Sequence, residues 1–337
     1  MRELLGFLET QGGVLDESEP LPGPAHFGDG QGELEALVSD LALYVPGTIG
    51  VLRLDGEDAQ RFCNSMLTNN FRDMAPGDSN HSAITDNKGR IEAFVDGHMI
   101  APGRFILVFD GADMEWAHDR LDMYIIMDPI DLTLLHETHT LLHLSGPSAA
   151  EELANLGMYP EGQATEFEGG VVLPSDRTGR PGWDLLVRHD LAQEIWGQLR
   201  DSGATPIGTW AAEAGRIRAG IPRFPQDIGK RAFPHEMGLR DRICSFTKGC
   251  YMGQEVINRM DTMGRLNKRL VQIALQEPLS TPTEAMADDA PIGTLTSFTR
   301  VGPPIALGIL RPVVWEEGST LQVDSRDASS LGPVRLS

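Results

Sequence analysis

The residues whose side chains are best suited to bind or react lie in one octapeptide, KGCYMGQE at positions 248–255. It holds a cation, a thiol, an amide and a carboxylate around two glycines, a mixture that a core strand or helix does not need. Glycines allow sharp turns and let a backbone approach a ligand closely. The octapeptide is therefore predicted to bind or react rather than to pack.

The thiol of Cys250 is the first candidate for catalysis. Lys248 stands two residues before it, and a nearby cation favours the thiolate. Two interpretations are open: a reactive cysteine, or a small residue that packs beside Tyr251. No His or Asp is fixed beside this thiol by the sequence, so a Cys–His nucleophile has no support. The remaining cysteines, Cys63 and Cys244, are predicted to be packing residues.

Two carboxylates and two amides form the second group of candidates. Glu92 and Asp184 lie inside predicted strands, where each either faces water or points inward and needs a partner. An inward carboxylate can bind the N–H and NH₂ edge of a planar heterocycle through two parallel hydrogen bonds. Asn69 and Gln254 each combine a donor with an acceptor, which also suits such an edge, although Asn69 equally suits a helix end or a turn. The nine histidines show no metal-ligand spacing, so no metal site is predicted.

The chain is acidic, with a formal net charge of −21, which argues against direct binding to nucleic acid or anionic membranes. The charge is unevenly distributed. Residues 216–269 hold 12 of the 28 basic residues and five of the 49 acidic ones, which leaves 16 basic and 44 acidic residues elsewhere. This basic segment either pairs with acidic neighbours or attracts a small anion toward the octapeptide that it surrounds.

Composition favours a cytoplasmic, soluble protein. Three cysteines indicate a reducing compartment, and neither a signal-peptide pattern nor an apolar run of membrane-spanning length is seen. A length of 337 residues is enough for two or three domains.

An internal repeat predicts the architecture. The pattern LxLxGxxA at 52–59 recurs at 142–149, and DxxGR at 86–90 recurs at 176–180, so both matches share an offset of 90 residues. Each copy opens with a strand and a helix, which predicts two related antiparallel α+β lobes. Short strands separated by turns after Lys268 predict a small C-terminal β-barrel. The predicted boundaries are 1–135 for the first lobe with its leading helical segment, 136–215 for the second lobe, 216–267 for an irregular segment carrying the octapeptide, and 268–337 for the barrel.

The octapeptide and its flanks resemble the YgfZ family, the folate-binding relatives of the glycine-cleavage T-protein (GcvT). The patterns RIxAGIP at 216–222, FPHEMGL at 233–239 and LTNN at 67–70 agree with this resemblance, which covers the chain from about residue 45 to its end. The resemblance implies a ring of three domains around a central folate pocket, with a tetrahydrofolate or a one-carbon derivative as the cofactor. It implies cofactor contacts from Asn69, Asp184, Arg216, Lys248 and Gln254, and catalytic roles for Cys250 and Glu92.

The resemblance also implies a function. A YgfZ-type protein supports iron–sulfur cluster assembly or repair, and thereby the iron–sulfur enzymes that modify tRNA, so the implied partners are a folate and iron–sulfur assembly or client proteins. The chain lacks a set of cysteines for a stable cluster of its own.

Two alternatives stay open, namely a folate-dependent aminomethyltransferase of T-protein type (or another one-carbon transferase) and an interaction module that has kept the fold. Where the T-protein family has two adjacent aspartates this chain has Glu92 and Ala93, and Arg218 replaces a glutamate. These departures count against aminomethyl transfer and leave open whether the chain is an enzyme.

Overall fold

The first elements of the chain do not belong to the first lobe. The computed structural model describes residues 2–16, 22–158, 162–229 and 232–336. It begins with helices α1 (Arg2–Thr10) and α2 (Gly30–Ser39) and strand β1 (Ala42–Tyr44). Leu4 and Leu8 of α1 are buried in the core of the second lobe, and β1 is a strand of its sheet. The sequence-based boundaries had placed this leading segment with the first lobe.

The first lobe is a five-stranded antiparallel sheet with two helices on one face. Its elements, in chain order, are β2 (Ile49–Asp55), α3 (Ala59–Met66), β3 (Ser79–Thr85), β4 (Ile91–Ala101), β5 (Arg104–Asp110), α4 (Met114–Asp122) and β6 (Asp131–Leu134). The strand order is β3-β4-β5-β2-β6. Helix α3 turns Ala59, Phe62, Cys63 and Met66 inward, the spacing of an amphipathic helix that covers a sheet.

The second lobe has the same plan. Its elements are β7 (His139–Ser145), α5 (Ala149–Asn155), β8 (Thr165–Phe167), β9 (Gly170–Ser175), β10 (Gly182–Arg188), α6 (Ala192–Asp201) and β11 (Thr205–Pro206), in the order β11-β1-β7-β10-β9-β8. The predicted duplication of α+β lobes is confirmed, because β2 and α3 correspond to β7 and α5 at the offset of 90 residues.

The DxxGR pattern, which also recurs at an offset of 90 residues, does not mark equivalent turns in the two lobes. The Asp86 turn connects β3 to β4, whereas the Asp176 turn connects β9 to β10, whose counterpart in the first lobe is the β4–β5 hairpin. The two aspartates also differ in what they bind. The Asp86 carboxylate accepts hydrogen bonds from the backbone N–H groups of Lys88 and Arg90, both at 2.8 Å, as is usual in such turns, whereas the Asp176 carboxylate accepts one from Arg242.

The uncovered faces of the two sheets pack against each other. Because side chains alternate across a strand, Ile106 and Val108 of the first lobe meet Leu173 and Leu186 of the second in one apolar cluster. Two residues farther along β5 the same face carries Asp110, and on β10 the residue two positions before Leu186 is Asp184. The inter-lobe space is thus apolar at one end and polar at the other.

The rest of the chain joins the lobes to a closed barrel. It comprises α7 (Thr209–Arg218), the short α8 (Arg240–Ile243), α9 (Gln254–Met263) and strands β12 (Arg269–Ala274), β13 (Thr283–Ala287), β14 (Ala290–Phe298), β15 (Ile305–Leu310), β16 (Thr320–Val323) and β17 (Arg326–Pro333). The barrel closes in the order β12-β15-β14-β13-β16-β17, as predicted. Between β15 and β16, Pro312–Val314 form a 3₁₀ turn rather than a strand, since proline fixes φ and has no N–H to pair. Within the described residues, no helix is long and apolar enough to cross a membrane.

Candidate functional site

A cavity of about 730 Å³ lies between the two lobes, within the range that small-molecule sites occupy. The first lobe contributes side chains of β3 and β4, and the second contributes the β9–β10 turn and the start of α5. Its charged, imidazole and aromatic lining residues are His81, Asp96, His98, Asp176, Arg180 and Trp183.

His81 and Asp96 form the most accessible ionisable pair of this cavity. They lie directly opposite each other on β3 and β4, with 2.6 Å between His81 Nδ1 and Asp96 Oδ1, and both side chains are about one-third exposed. Burial lowers the pKa of His81, but the Asp96 charge and hydrogen bond outweigh burial and raise it overall. Burial in turn raises the pKa of the Asp96 carboxyl, and the His81 charge outweighs it and lowers this pKa to about 2.

Arg242 of α8 extends this pair toward the second lobe. Its Nη2 lies 2.9 Å from His81 Nε2 and 2.5 Å from Asp176 Oδ1. Asp96, His81, Arg242 and Asp176 therefore form a continuous chain of alternating acidic and basic groups from β4 to the β9–β10 turn, which we call the His81 chain. It contains residues of both lobes and of the segment that leads into the octapeptide.

A second histidine–aspartate pair, His143 and Asp184, lies in the second lobe. This pair is closed, in the sense that it is buried and its carboxylate oxygens are hydrogen-bonded within the protein. His143 Nδ1 is 2.8 Å from Asp184 Oδ1, and Arg177 donates to both carboxylate oxygens, from Nε at 2.9 and 3.2 Å and from Nη2. Burial raises the pKa of Asp184, and the Arg177 charge outweighs burial and holds it well below its usual range. Asp184 points into the inter-lobe space as expected, but its oxygens are already paired within the protein.

Arg216 is likewise engaged within the protein. Its guanidinium donates to Asp227 at 2.8 Å, to Ser297 at 2.7 Å and to Glu213, and its side chain is 3% exposed. The structure thus places Arg216 where α7 meets the barrel, outside the residues that line the inter-lobe cavity.

Lys248 and Asn69 connect the octapeptide to the His81 chain. Lys248 Nζ donates to the carbonyl oxygens of Leu67 and Asn69 at 2.5 and 2.6 Å, and burial lowers its pKa to about 7. The Asn69 side chain then donates to the carbonyl oxygens of His81 and Arg242 at 2.8 and 2.9 Å. Both residues position neighbouring backbone, and neither lines the inter-lobe cavity among the described residues.

The rest of the octapeptide packs on the first lobe. Gly253 has a φ of 82°, and a Cβ on it would lie 2.5 Å from the carbonyl oxygen of Asp86, so only glycine fits. Gln254 begins α9 and lies 3.5 Å from the carbonyl oxygen of Lys248. Cys250 is exposed.

Glu92 lies on β4 four residues before Asp96, at a bulge in the pairing with β3. It is 3.3 Å from Arg120 Nε, and Arg120 Nη2 lies 2.9 Å from the sulfur of Met252 in the octapeptide. Glu92 and Cys250 are thus associated with the octapeptide side of the first lobe rather than with the lining of the inter-lobe cavity. Their catalytic roles remain predictions.

Residues 7–248 match the family described as the GCVT N-terminal domain. The chain belongs to this family. It is 23% identical over 254 residues to an aminomethyltransferase of Picosynechococcus sp., covering 72% of this chain and 70% of that protein. It is 24% identical over 311 residues to a putative chloroplastic transferase of Arabidopsis thaliana, covering 88% and 70%.

The three-domain arrangement of this GCVT-family chain is also that of a solved structure. The glycine cleavage system aminomethyltransferase T of Bartonella henselae superposes with a TM-score of 0.86 at 20% identity, over 98% of this chain and 96% of that one. At this identity the likeness shows the fold alone. The predicted GcvT-like fold is confirmed.

Sequence reasoning missed His81, Asp96 and Arg242. Strand β3 was not predicted, so the partner that lies opposite Asp96 could not be found. A usable signal was present in β4, where Asp96 and His98 alternate with Val95, Gly97 and Met99 and give that part of the strand one polar face.

Proposed function

We propose that this GCVT-family protein binds a tetrahydrofolate, or a one-carbon derivative of it, in the inter-lobe cavity. The observation that carries the proposal is a cavity of about 730 Å³ whose walls come from both lobes and include an accessible carboxylate, a cation and an aromatic ring. The names of the aminomethyltransferase relatives support it, as does the resemblance of the octapeptide to folate-binding proteins.

The lining fits the two ends of a reduced folate. Asp96, one-third exposed, can accept two N–H groups of a pterin edge, while Trp183 offers an indole wall for the ring. Arg180 is exposed on the cavity wall and can pair with the glutamate carboxylates. Asp184 and Arg216 would take part only by giving up protein partners, so we assign recognition to Asp96 and Arg180.

Anaerobic calorimetric titration with tetrahydrofolate tests this proposal directly. We expect saturable binding by the wild type and binding weaker by about tenfold for Asp96→Asn and for Arg180→Met, because each loses a charge-assisted hydrogen bond. Arg188→Met, an exposed arginine outside the cavity, is the matched control and should bind normally. No binding by the wild type under anaerobic conditions would contradict the proposal.

We further propose that the bound folate serves a YgfZ-type role in the cytoplasm, the support of iron–sulfur cluster assembly or repair and hence of tRNA-modifying iron–sulfur enzymes. The exposed thiol of Cys250, two residues after the hydrogen-bonded Lys248, supports this role. The test is complementation of a deletion strain, scored by the activity of an iron–sulfur enzyme. Wild type should restore activity and Cys250→Ala should not, while full rescue by Cys250→Ala would remove the thiol from the proposal.

Aminomethyl transfer is the second candidate, and the names of the 20–24% identical relatives favour it. The transfer would need a carboxylate within the cavity, and the structure offers Asp96 there, whereas Glu92 pairs with Arg120 outside it. Turnover of an aminomethylated lipoyl carrier protein with tetrahydrofolate, abolished by Asp96→Asn but not by Glu92→Gln, would establish this reaction. No turnover by the wild type would leave the YgfZ-type role as the better account.

A further inference from the structure

The His81 chain has the geometry of an acid–base device that faces a ligand cavity. We propose that His81 is the proton-donating residue of the inter-lobe cavity and that Arg242 controls whether its Nε2 carries a proton. This inference rests on the proposed binding of a reduced folate, and it assigns to that site a group that neither the octapeptide nor the predicted carboxylates supply.

The donors and acceptors fix the state of the imidazole. A guanidinium has only donors, so the 2.9 Å contact from Arg242 Nη2 requires a lone pair on His81 Nε2. The proton of the neutral ring then sits on Nδ1 and is donated to Asp96 at 2.6 Å. A proton added at Nε2 would face an N–H donor of the same charge, so protonation of His81, which Asp96 favours, weakens the Arg242 contact.

Arg242 has a second partner that can hold it when it leaves His81. Its Nη2 is 2.5 Å from Asp176 of the second lobe, and its backbone is held independently, because the Asn69 side chain donates to the Arg242 carbonyl at 2.9 Å. The side chain can therefore turn away from His81 while it keeps Asp176, or move toward a ligand carboxylate, without displacing α8. That movement frees Nε2.

The charges around His81 favour the imidazolium once Arg242 has moved. Asp96 on β4 and Asp176 on the β9–β10 turn favour the added charge, whereas Arg242 opposes it. His98, also on β4, stays neutral near neutral pH because burial lowers its pKa to about 4. Asp184 contributes little net charge, since Arg177 neutralises it.

His81 then works as follows. Nε2 takes a proton from solvent, and the Asp96 carboxylate stabilises the resulting imidazolium. Nε2–H donates this proton to the lone pair of a nitrogen of the ligand, and the ring returns to its neutral Nδ1–H form. One N–H bond breaks as another forms, and no electrons are exchanged. A general acid placed in this way assists the cleavage or formation of bonds at that nitrogen.

Two measurements test the proposal. The first is NMR of ¹⁵N-labelled histidine in the ligand-free protein. Above the His81 pKa, we expect the neutral ring of the wild type to carry its proton on Nδ1. We also expect a higher His81 pKa in Arg242→Met because an opposing cation is gone. A neutral ring protonated on Nε2 would overturn the proposal whether or not folate binds.

The second measurement is anaerobic calorimetry with tetrahydrofolate in buffers of different ionisation enthalpy between pH 6 and 8.5. On binding, the wild type should take up protons, at most about one per ligand. His81→Gln should take up none and bind about tenfold more weakly. His189→Asn, an exposed histidine outside the cavity lining, is the control and should behave as wild type. Thermal melts of each variant verify folding.

The outcomes separate the two proposals. If the wild type binds and His81→Gln shows the same proton uptake, the acid–base role is wrong and folate binding stands. If the wild type does not bind, the proposed function fails, and the role of His81 toward a folate fails with it.

Discussion

Two histidine–aspartate pairs, one in each lobe, join neighbouring strands of a sheet, and they differ in accessibility. In both, the two residues are register partners on neighbouring strands. The His81 and Asp96 side chains are 37% and 35% exposed, whereas those of His143 and Asp184 are 0% and 2% exposed. The strand geometry is equivalent, so it does not explain the difference.

The position of a third, basic partner explains it. Arg177 occupies both oxygens of Asp184 and closes that pair, while Arg242 contacts the imidazole of the other pair and leaves the Asp96 carboxylate partly accessible. A buried, fully paired carboxylate supports the fold, and an accessible one beside a cavity is available for a ligand. The same two residue types thus differ in accessibility according to whether the arginine binds the carboxylate or the imidazole.

The largest expected effect is on stability, at the closed pair. Asp184→Asn should lower the free energy of unfolding by about 3–5 kcal/mol, because the buried Arg177 loses its main counter-charge and keeps only Asp110 at 3.8 Å. Asp96→Asn, at the accessible pair, should cost about 1 kcal/mol or less. Guanidinium unfolding monitored by circular dichroism measures both. Equal losses of unfolding free energy at the two sites would contradict the distinction between the two pairs.

A double variant sharpens the same comparison. Asp184→Asn combined with Arg177→Met removes both buried charges and should recover part of the loss, since the guanidinium left without Asp184, rather than the missing carboxylate, carries the main cost. The same denaturation series gives the coupling energy between the two sites. Additive losses would show that the pair does not act as a unit.

A buried cation with no carboxylate partner among its described hydrogen bonds gives the third test. Lys248 has a pKa of about 7 in the folded protein and about 10.4 when unfolded, so the unfolded chain binds more protons between these values. The free energy of unfolding should therefore rise with pH above 7, by at most about 1.4 kcal/mol per pH unit. The slope difference between wild type and Lys248→Met, measured by urea unfolding from pH 7 to 9, isolates this contribution. Identical slopes would contradict it.

The three thiols also contrast an exposed group with buried ones, and they give the smallest expected effect on stability. Cys250 is exposed, while Cys63 and Cys244 are buried, and burial raises the pKa of both buried thiols to about 12. A thiol reagent at pH 7.5 should label one cysteine in the native protein and three after denaturation, as counted by mass spectrometry. Cys250→Ala should change stability by less than about 0.5 kcal/mol. Rapid native labelling of two cysteines would contradict this.

The fold was more accessible to sequence reasoning than the site. The LxLxGxxA repeat reflects a strand and helix that each lobe needs, and turn-separated short strands indicate a barrel, so both were predicted. The role of β1 could not be, because three residues carry no signal for the distant strand they join. Strand β3 was missed since its buried half, Ser82–Thr85, follows polar residues that resemble a loop.

The site depended on partners that only the fold brings together. The octapeptide drew attention through its composition, and Gly253 and Lys248 turn out to have structural reasons for their identity. The residues alone left open whether Asp184 faces water or points inward, and its pairing with Arg177 depends on a contact across the β9–β10 turn. The accessible pair needed β3 and β4 in register, and Arg242 needed α8 to reach both lobes, so neither could be deduced from spacing.

Strand β1 imposes an order on biosynthesis. Ala42–Tyr44 leaves the ribosome well before the strands that flank it, His139–Ser145 and Thr205–Pro206, have been made. The nascent chain must therefore keep this edge unpaired while the whole first lobe emerges, and the second sheet can be completed only after translation has passed residue 206. Early and late parts of the polypeptide are tied together in one sheet, so neither lobe can be cut out at a single point along the chain.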